Sequence, residues 1–219
     1  AQLVDSQQAQ VFGRNSEFIA SARLDNQISC WAALDAFLIE SGDEPTMIAL
    51  FDHEEVGSQS DNGAGGPLLE HVLERLASVS GSTRSEFLTA LQKSHCVSAD
   101  NAHAVHPNYT DRHELNNAPY VNEGVVVKNN VSQRYATSPS SVVPIVHAAV
   151  TAGVNLQTFS SRNNIACGST IGPITATRLG IETVDIGVPQ LSMHSIREMC
   201  GTKDPVDLVA LLGAYFSRS

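Results

Sequence analysis

Two adjacent glutamates, Glu54 and Glu55, are the feature of the sequence with the clearest chemical potential. They follow the run 46–51, whose apolar composition predicts a short strand, and strand ends are where α/β folds place their ligand sites. Neighbouring residues there point in different directions, so one glutamate can bind a metal ion while the other moves a proton. The pair therefore suits hydrolysis by a metal-activated water. The alternative is a solvated acidic turn, because charged side chains are mostly exposed.

Three further candidate ligands occupy similar settings beside apolar segments. Asp25 stands at the start of an apolar helical stretch, and Asp100 and His194 each directly follow a short, largely apolar run. One carboxylate that bridges two ions, with Asp, Glu and His as the remaining ligands, is a chemically reasonable two-metal hydrolytic site. Taken singly, the two aspartates also fit helix caps, and the histidine also fits a core residue with satisfied nitrogens.

The elements that must position these residues alternate between short β-branched runs and longer helical stretches. This pattern predicts an α/β fold with a mixed central sheet flanked by helices. Helices are predicted at 28–39, 68–76, 82–91, 138–152, 169–179 and from 204 onward, and strands at 46–51, 125–128 and 181–186. The helix at 28–39 is almost wholly apolar and is therefore expected to be buried, whereas the helix at 68–76 is amphipathic and is expected on the surface.

Length and composition favour one globular domain over residues 1–219 that acts on small partners. The chain has 219 residues, 42% of them hydrophobic, and 13 basic against 23 acidic residues give a formal charge of −10. This charge opposes binding to nucleic acid or to an anionic membrane surface, and no apolar run is long enough to span a membrane. Four scattered cysteines without a CxxC pair favour a reducing, cytoplasmic location, with a vacuolar or other compartment left open.

The chain resembles the aspartyl aminopeptidase family of zinc aminopeptidases in five segments that occur in order. They include Asp-His-Glu-Glu-Val-Gly-Ser at 52–58 and Met-His-Ser-Ile-Arg-Glu at 193–198. The other matching stretches are 21–26, 98–100 with 102–109, 133–136, 167–173 and 189–192. The resemblance covers nearly the whole chain from about Phe18 onward. It implies a zinc-dependent exopeptidase-like layer fold, of which this chain is the C-terminal portion of the catalytic domain.

The resemblance also implies a role for each candidate ligand. Asp25 matches the carboxylate that bridges two zinc ions, and the peptide bond that follows it is expected to be cis. Glu55 and His194 match terminal ligands of one zinc, and Asp100 matches a ligand of the other. Glu54 matches the general base.

Three more residues match the lining of the family's substrate pocket, namely His103, Lys128 and Tyr135. A buried lysine at a strand end needs an anionic partner, which a substrate Asp or Glu side chain would supply. Solvation or an internal ion pair is the alternative for Lys128. Tyr135 is a candidate donor to a developing oxyanion, and its alternative is a core tyrosine with a satisfied hydroxyl.

The resemblance predicts a function together with a deficit. Members of the family carry, ahead of the matching segments, one more histidine ligand of the second zinc and an inserted dimerisation domain, and neither is found in this chain. We expect removal of N-terminal Asp or Glu from peptides, with the missing N-terminal segment or chain and further copies of the protein as partners. The alternatives are an aminopeptidase of neutral or basic specificity, or an inactive fragment or subunit that serves assembly.

Overall fold

Two β-sheets organise the chain, and the computed structural model describes residues 3–39 and 42–218. The helices are α1 (Leu24–Ile39), α2 (Leu68–Val79), α3 (Arg84–Lys93), α4 (Pro139–Ala152), α5 (Gly172–Leu179) and α6 (Asp204–Phe216). The strands are β1 (Gln10–Phe12), β2 (Phe18–Ser21), β3 (His95–Ala99), β4 (Ala102–His103), β5 (Val125–Asn129), β6 (Leu156–Ser160), β7 (Glu182–Gly187), β8 (Pro189–Leu191) and β9 (Glu198–Gly201).

Both sheets are mixed, which confirms the predicted α/β fold. The four-stranded sheet has the order β3-β7-β5-β6, with β5 antiparallel to β7 and the other pairs parallel. The five-stranded sheet has the order β1-β2-β9-β8-β4, with β4 and β8 its parallel pair. The chain passes from the first sheet to the second twice, once between β3 and β4 and once between β7 and β8. These two crossings lie side by side, because β3 pairs with β7 and β4 pairs with β8.

The hydrophobic core lies between the four-stranded sheet and the helices α1, α4 and α6. Ile145, Leu208 and Leu211 are fully buried in it and belong to the same cluster as the equally buried Val184 and Ile186 of β7. Strand β5 contributes a run of three valines, all buried, as expected of a strand covered on both faces. Removal of this apolar surface from water is the main stabilising term for the framework that carries the site.

Several helix boundaries follow directly from local sequence signals. The Ser138 side chain accepts a hydrogen bond from the Ser141 backbone N–H, Pro139 opens α4, and Gly153 ends it at φ 67°. Thr83 and Glu86 form a reciprocal capping box at the start of α3. These are the patterns that satisfy the unpaired N–H groups of a first helical turn and the left-handed geometry of a helix end.

Three expectations from the sequence are wrong, and the first is that the helix at 28–39 is buried. Helix α1 buries only one face, built on Ile28, Ala32 and Ala36, whereas Trp31 and Leu38 on its other side are exposed. Four-residue spacing of the small side chains Ala32 and Ala36 lets this face of α1 pack closely against α6, whereas the opposite face is left largely exposed.

The other two errors concern the predicted strand at 46–51 and the prediction, from the Asp204-Pro205 pair, that Asp204 caps the last helix. Residues 46–51 form no strand, and Met47 and Leu50 are exposed, because no described strand pairs with this segment. Asp204 does not cap α6 with its side chain. Its buried carboxylate instead accepts hydrogen bonds from the backbone N–H groups of Asn122 and Gly124, at 2.6 and 3.0 Å.

Cys30, Cys96, Cys167 and Cys200 are all free thiols, so they form no disulfide framework. Within the described residues, no helix has both the length and the apolar character that crossing a bilayer demands.

Candidate metal centre

Asp25, Glu55 and His194 bring one ligand atom each to a common point. The His194 Nε2 atom lies 3.2 Å from Asp25 Oδ2 and 3.1 Å from Glu55 Oε2. All three ligand atoms lie within 4.8 Å of one another, a spacing that one metal ion can bridge. The Asp25 side chain is 5% exposed, whereas those of Glu55 and His194 are more than half exposed. The cluster is therefore anchored in the interior and open to solvent on one side.

Asp25 lies at the start of α1, where it and Asn26 depart from helical geometry. Its peptide bond to Asn26 is cis, as expected from the resemblance. The Asn26 side chain donates to the carbonyl oxygen of Ala99 at 2.8 Å, which ties the start of α1 to the end of β3. This contact brings Asp25 beside Asp100, the residue that follows β3.

Asp100 lies where β3 leaves the four-stranded sheet. Its backbone N–H donates to the Ile186 carbonyl at 2.9 Å, and its carboxyl lies close enough to that of Asp25 to raise the pKa of Asp25. Neighbouring Gly187 must be a glycine, because a Cβ there would overlap the Asp100 carbonyl oxygen. The crossing between the sheets therefore fixes Asp100 against Asp25.

The carboxylates of this cluster repel one another. Burial, reinforced by the negative charges of Asp100 and Glu55, raises the pKa of Asp25 to about 9. Burial and the same two charges raise the pKa of Glu54 to about 7, although Lys128 and His194 oppose the shift. Crowded carboxylates with raised pKa values are typical of sites that bind a cation or transfer protons.

The donor set fits a divalent metal ion such as zinc. Zinc in proteins binds Asp, Glu and His side chains, and three protein ligands with an open position are characteristic of its catalytic sites. The second carboxylate oxygen of Asp25, Oδ1, is buried and has no hydrogen-bond partner. An unpartnered buried carboxylate oxygen is costly, and a bound cation at this position would satisfy it.

Lys128 occupies the interior beside this cluster. Its side chain is 2% exposed, and its Nζ atom lies 3.2 Å from Asp100 Oδ2 and donates to the Asn101 carbonyl oxygen at 3.0 Å. The ammonium group also lies 5.1 Å from the centre of the Tyr135 ring. Of the alternatives left open by the sequence, the internal ion pair is the one that the structure contains.

Tyr135 and His103 lie close enough to Lys128 or to the carboxylate cluster to interact with it electrostatically. Tyr135 is buried against Phe159, and burial together with contact from Cys167 raises the pKa of its phenol. His103 lies on β4, where desolvation among the surrounding protein atoms, followed by the charges of His194 and Lys128, lowers the pKa of its imidazole. All eight residues singled out from the sequence therefore lie in or next to one cluster.

Two buried carboxylates that support the centre were missed by the sequence analysis. Glu198 accepts the backbone N–H of Asp25 at Oε2 and that of His194 at Oε1, both at 2.8 Å. Asp185 accepts the Ala136 N–H and the Thr170 hydroxyl, both at 2.6 Å, and so holds the loop that carries Tyr135. For Asp185 a signal was present, since a carboxylate inside an apolar strand must find buried donors.

An apolar cavity of about 640 Å³ lies elsewhere, on the five-stranded sheet. Phe18, Leu191 and Met199 line it, together with Tyr120 and Gln157 from neighbouring loops. None of the eight site residues lines this cavity. The candidate metal centre is therefore separate from this cavity.

Comparisons with known proteins point in one direction. A family profile described as aminopeptidase I zinc metalloprotease (M18) matches residues 1–216. A Pseudomonas paraeruginosa protein named "Probable M18 family aminopeptidase 2" is 51% identical over 215 residues, which are 98% of this chain and 49% of that protein. The chain thus spans about half the length of the curated relatives it matches.

Solved structures agree with this match. The S. cerevisiae mApe1 dodecamer is 32% identical and superimposes with a TM-score of 0.84, over 97% of this chain and 49% of that chain. An M18 family aminopeptidase from Thermotoga maritima is 24% identical, with a TM-score of 0.92 over 99% of this chain and 50% of that chain. At that identity the second comparison speaks for the fold alone.

Proposed function

Because the chain belongs to the aminopeptidase I (M18) family of zinc metalloproteases, we propose that it supplies the catalytic metal centre of an aminopeptidase. The convergence of Asp25, Glu55 and His194, with Glu54 beside them, carries this proposal. Hydrolysis needs a bound cation, a proton acceptor and an open side for the substrate, and the cluster offers all three.

We propose that two zinc ions could be held here, with Asp25 as the ligand that both would share. Glu55 and His194 would complete the ligands of the first ion, and Asp100 would hold the second. The resemblance assigns one further histidine of that second ion to a part of the family sequence ahead of the matching segments. This chain by itself is therefore proposed to bind one zinc firmly and a second weakly, with little activity.

Glu54 is proposed as the general base. Zinc, when bound, acidifies water and polarises a carbonyl group. The Glu54 carboxylate takes a proton from the attacking water and then delivers it to the departing amine. Without a bound metal, burial and the neighbouring carboxylates raise the pKa of Glu54 to about 7, which favours proton uptake by this side chain. The Tyr135 hydroxyl is the proposed donor to the oxygen that develops negative charge.

Removal of N-terminal Asp or Glu is the proposed specificity, with Lys128 as the cationic determinant and His103 at the pocket wall. An ammonium group has three N–H donors, and Lys128 uses two of them on Asp100 and Asn101. One donor remains for a substrate carboxylate. The rival is preference for a neutral or basic residue, and relative rates on Asp-, Leu- and Lys-anilides distinguish the two.

Assembly with a companion polypeptide and with further copies is also proposed. The yeast relative is described as a dodecamer, and this chain spans about half the length of its relatives. Trp31 and Leu38 of α1 and Leu50 in the unpaired segment leave apolar surface uncovered by any described element. Under the rival proposal of a non-catalytic subunit, the purified protein would contain no metal. The mass of the intact sample under denaturing conditions would show whether a companion chain is present.

Glu54→Gln tests the catalytic proposal most directly. The amide keeps the size of the side chain but cannot accept the proton, so turnover should fall at least about 100-fold, while zinc content stays unchanged. The assay is hydrolysis of an Asp-anilide by the fully assembled protein, with zinc measured by atomic emission. Glu182→Gln, which changes an exposed glutamate on β7, is the control. An unaltered rate in the Glu54 variant would refute the assignment.

A further inference from the structure

Glu198 joins two of the proposed metal ligands through the backbone. Its side chain is 2% exposed, and each of its two carboxylate oxygens accepts one N–H at 2.8 Å. One N–H belongs to Asp25 and the other to His194, although the first of these residues is 173 positions away in the chain. A single buried side chain therefore spans the gap between the two segments that form the metal cluster.

The backbone around Glu198 explains how it reaches both segments. It opens β9 and is paired with Ser21, the last residue of β2, so it lies beside the turn that leads to Asp25. On its other side is the loop between β8 and β9, in which Ser192 and His194 both have positive φ angles, 57° and 65°. Non-glycine residues adopt this conformation at a cost and keep it only when neighbouring contacts enforce it.

The charge of Glu198 has no cationic side chain to balance it. No lysine, arginine or histidine of the described chain forms an ion pair with it. A buried carboxylate held only by two backbone donors is expensive for simple fold stability, since an apolar side chain would fill the same space without desolvating a charge. Its placement is better explained by the two ligands that it holds.

We propose that Glu198 is a positioning residue of the metal centre, which sets the separation and orientation of Asp25 and His194 for the ion. The inference rests on the proposed function, because it presumes that these two residues bind a metal. Partners that orient metal ligands in this way typically contribute about 10- to 100-fold to metal affinity. Glu198 itself touches neither the ion nor the substrate under this proposal.

The test is a zinc titration of the chain and of Glu198→Gln against a competing fluorescent chelator. The glutamine keeps one acceptor oxygen but turns an NH₂ group toward the second backbone N–H, so one of the two bonds is lost. We expect zinc to bind about 10- to 100-fold more weakly. Glu198→Asp keeps the charge but is one methylene shorter, and we expect an intermediate loss. In the metal-free state, hydrogen exchange of at least one of the two amides, those of Asp25 and His194, should accelerate in each variant.

Asp204→Asn is the matched control. Asp204 is also a fully buried carboxylate that accepts two backbone N–H groups, but it holds Asn122 and Gly124 and not the metal ligands. Its variant should lose stability and still bind zinc like the unmodified chain. Equal zinc affinity of the unmodified chain and both Glu198 variants would overturn the positioning role, as would an equal loss in Asp204→Asn. Absence of zinc binding by the unmodified chain would instead refute the proposed function.

If Glu198→Gln does not fold, the comparison moves to Glu198→Asp, whose zinc affinity must then fall while that of Asp204→Asn does not. Unchanged affinity in Glu198→Asp, with unchanged amide exchange at Asp25 and His194, would overturn the proposal in that case.

Discussion

Replacement of Lys128 by methionine measures how strongly the carboxylate cluster depends on its one buried lysine. Methionine fills similar space but carries no charge, so Asp100 loses the cation 3.2 Å from its Oδ2. At an effective dielectric constant of about 20, two charges at that distance attract each other by about 5 kcal/mol. Relief from burying the ammonium group offsets part of this, and loss of one partner of a buried pair typically costs about 3–5 kcal/mol. We therefore expect a loss of about 3 kcal/mol in the free energy of unfolding.

Urea unfolding of the metal-free protein, followed by circular dichroism, provides the assay. With an m-value of about 2 kcal/mol/M, the expected loss lowers the midpoint by about 1.5 M. Excess zinc should reduce the difference, because a bound cation would neutralise the same carboxylates.

Lys203→Met is the control that separates the effect of burial of an ion pair from the effect of the distance between its charged atoms. Lys203 lies closer to its partner Asp207, at 2.7 Å, but its side chain is 58% exposed. An exposed pair of this kind contributes at most about 1 kcal/mol. Similar losses in the two variants, or a loss below about 1 kcal/mol for Lys128→Met, would refute the view that burial makes the Lys128 pair structurally decisive.

Two further predictions concern other parts of the framework. Burial lowers the pKa of His95, so the unfolded chain binds a proton at this histidine more readily than the folded chain does, and His95 reduces stability as the pH falls below about 6.5. In His95→Gln the melting temperature should therefore drop less between pH 7 and pH 5 than in the unmodified protein. An unchanged pH dependence would contradict this. Gly187→Ala places a methyl group against the Asp100 carbonyl, so it should weaken zinc binding as well as lower stability; Gly81→Ala, in a turn with nothing near the added methyl group, should leave zinc affinity unaltered.

The parts of the fold that follow from sequence are those set by local chemistry. Ser138, Pro139 and Gly153 specify the ends of α4, because each acts on backbone groups within a few residues of itself. The valine run of β5 likewise identifies a strand that is covered on both faces. These signals need no knowledge of the rest of the chain.

The errors arise where the outcome depends on distant partners. Composition marks residues 46–51 as a strand, but a strand exists only when another strand pairs with it. The apolar content of α1 likewise reports hydrophobicity without saying what will cover Trp31. Neither feature is encoded locally.

The candidate site likewise contains residues that sequence motifs predict and a residue that only the folded structure reveals. Asp25, Glu55, Asp100 and His194 could be proposed together because the matching motifs relate them, and the structure brings them together. Glu198 could not be found this way, because its function depends on two backbone N–H groups whose positions only the folded chain defines. Support for a metal centre is thus harder to predict than its ligands.

The long separation along the chain between Asp25 and the β8–β9 loop has a consequence for how the protein matures. Closing so long a loop carries a large entropic cost, and the residues that would bind the ion are far apart until most of the core has formed. An ion bound by both segments would then stabilise the chain only after most of it has folded, since binding energy gained only by the folded chain adds to its stability. A shortage of metal ions would consequently speed degradation of the polypeptide, in addition to removing the ion that the proposed reaction needs.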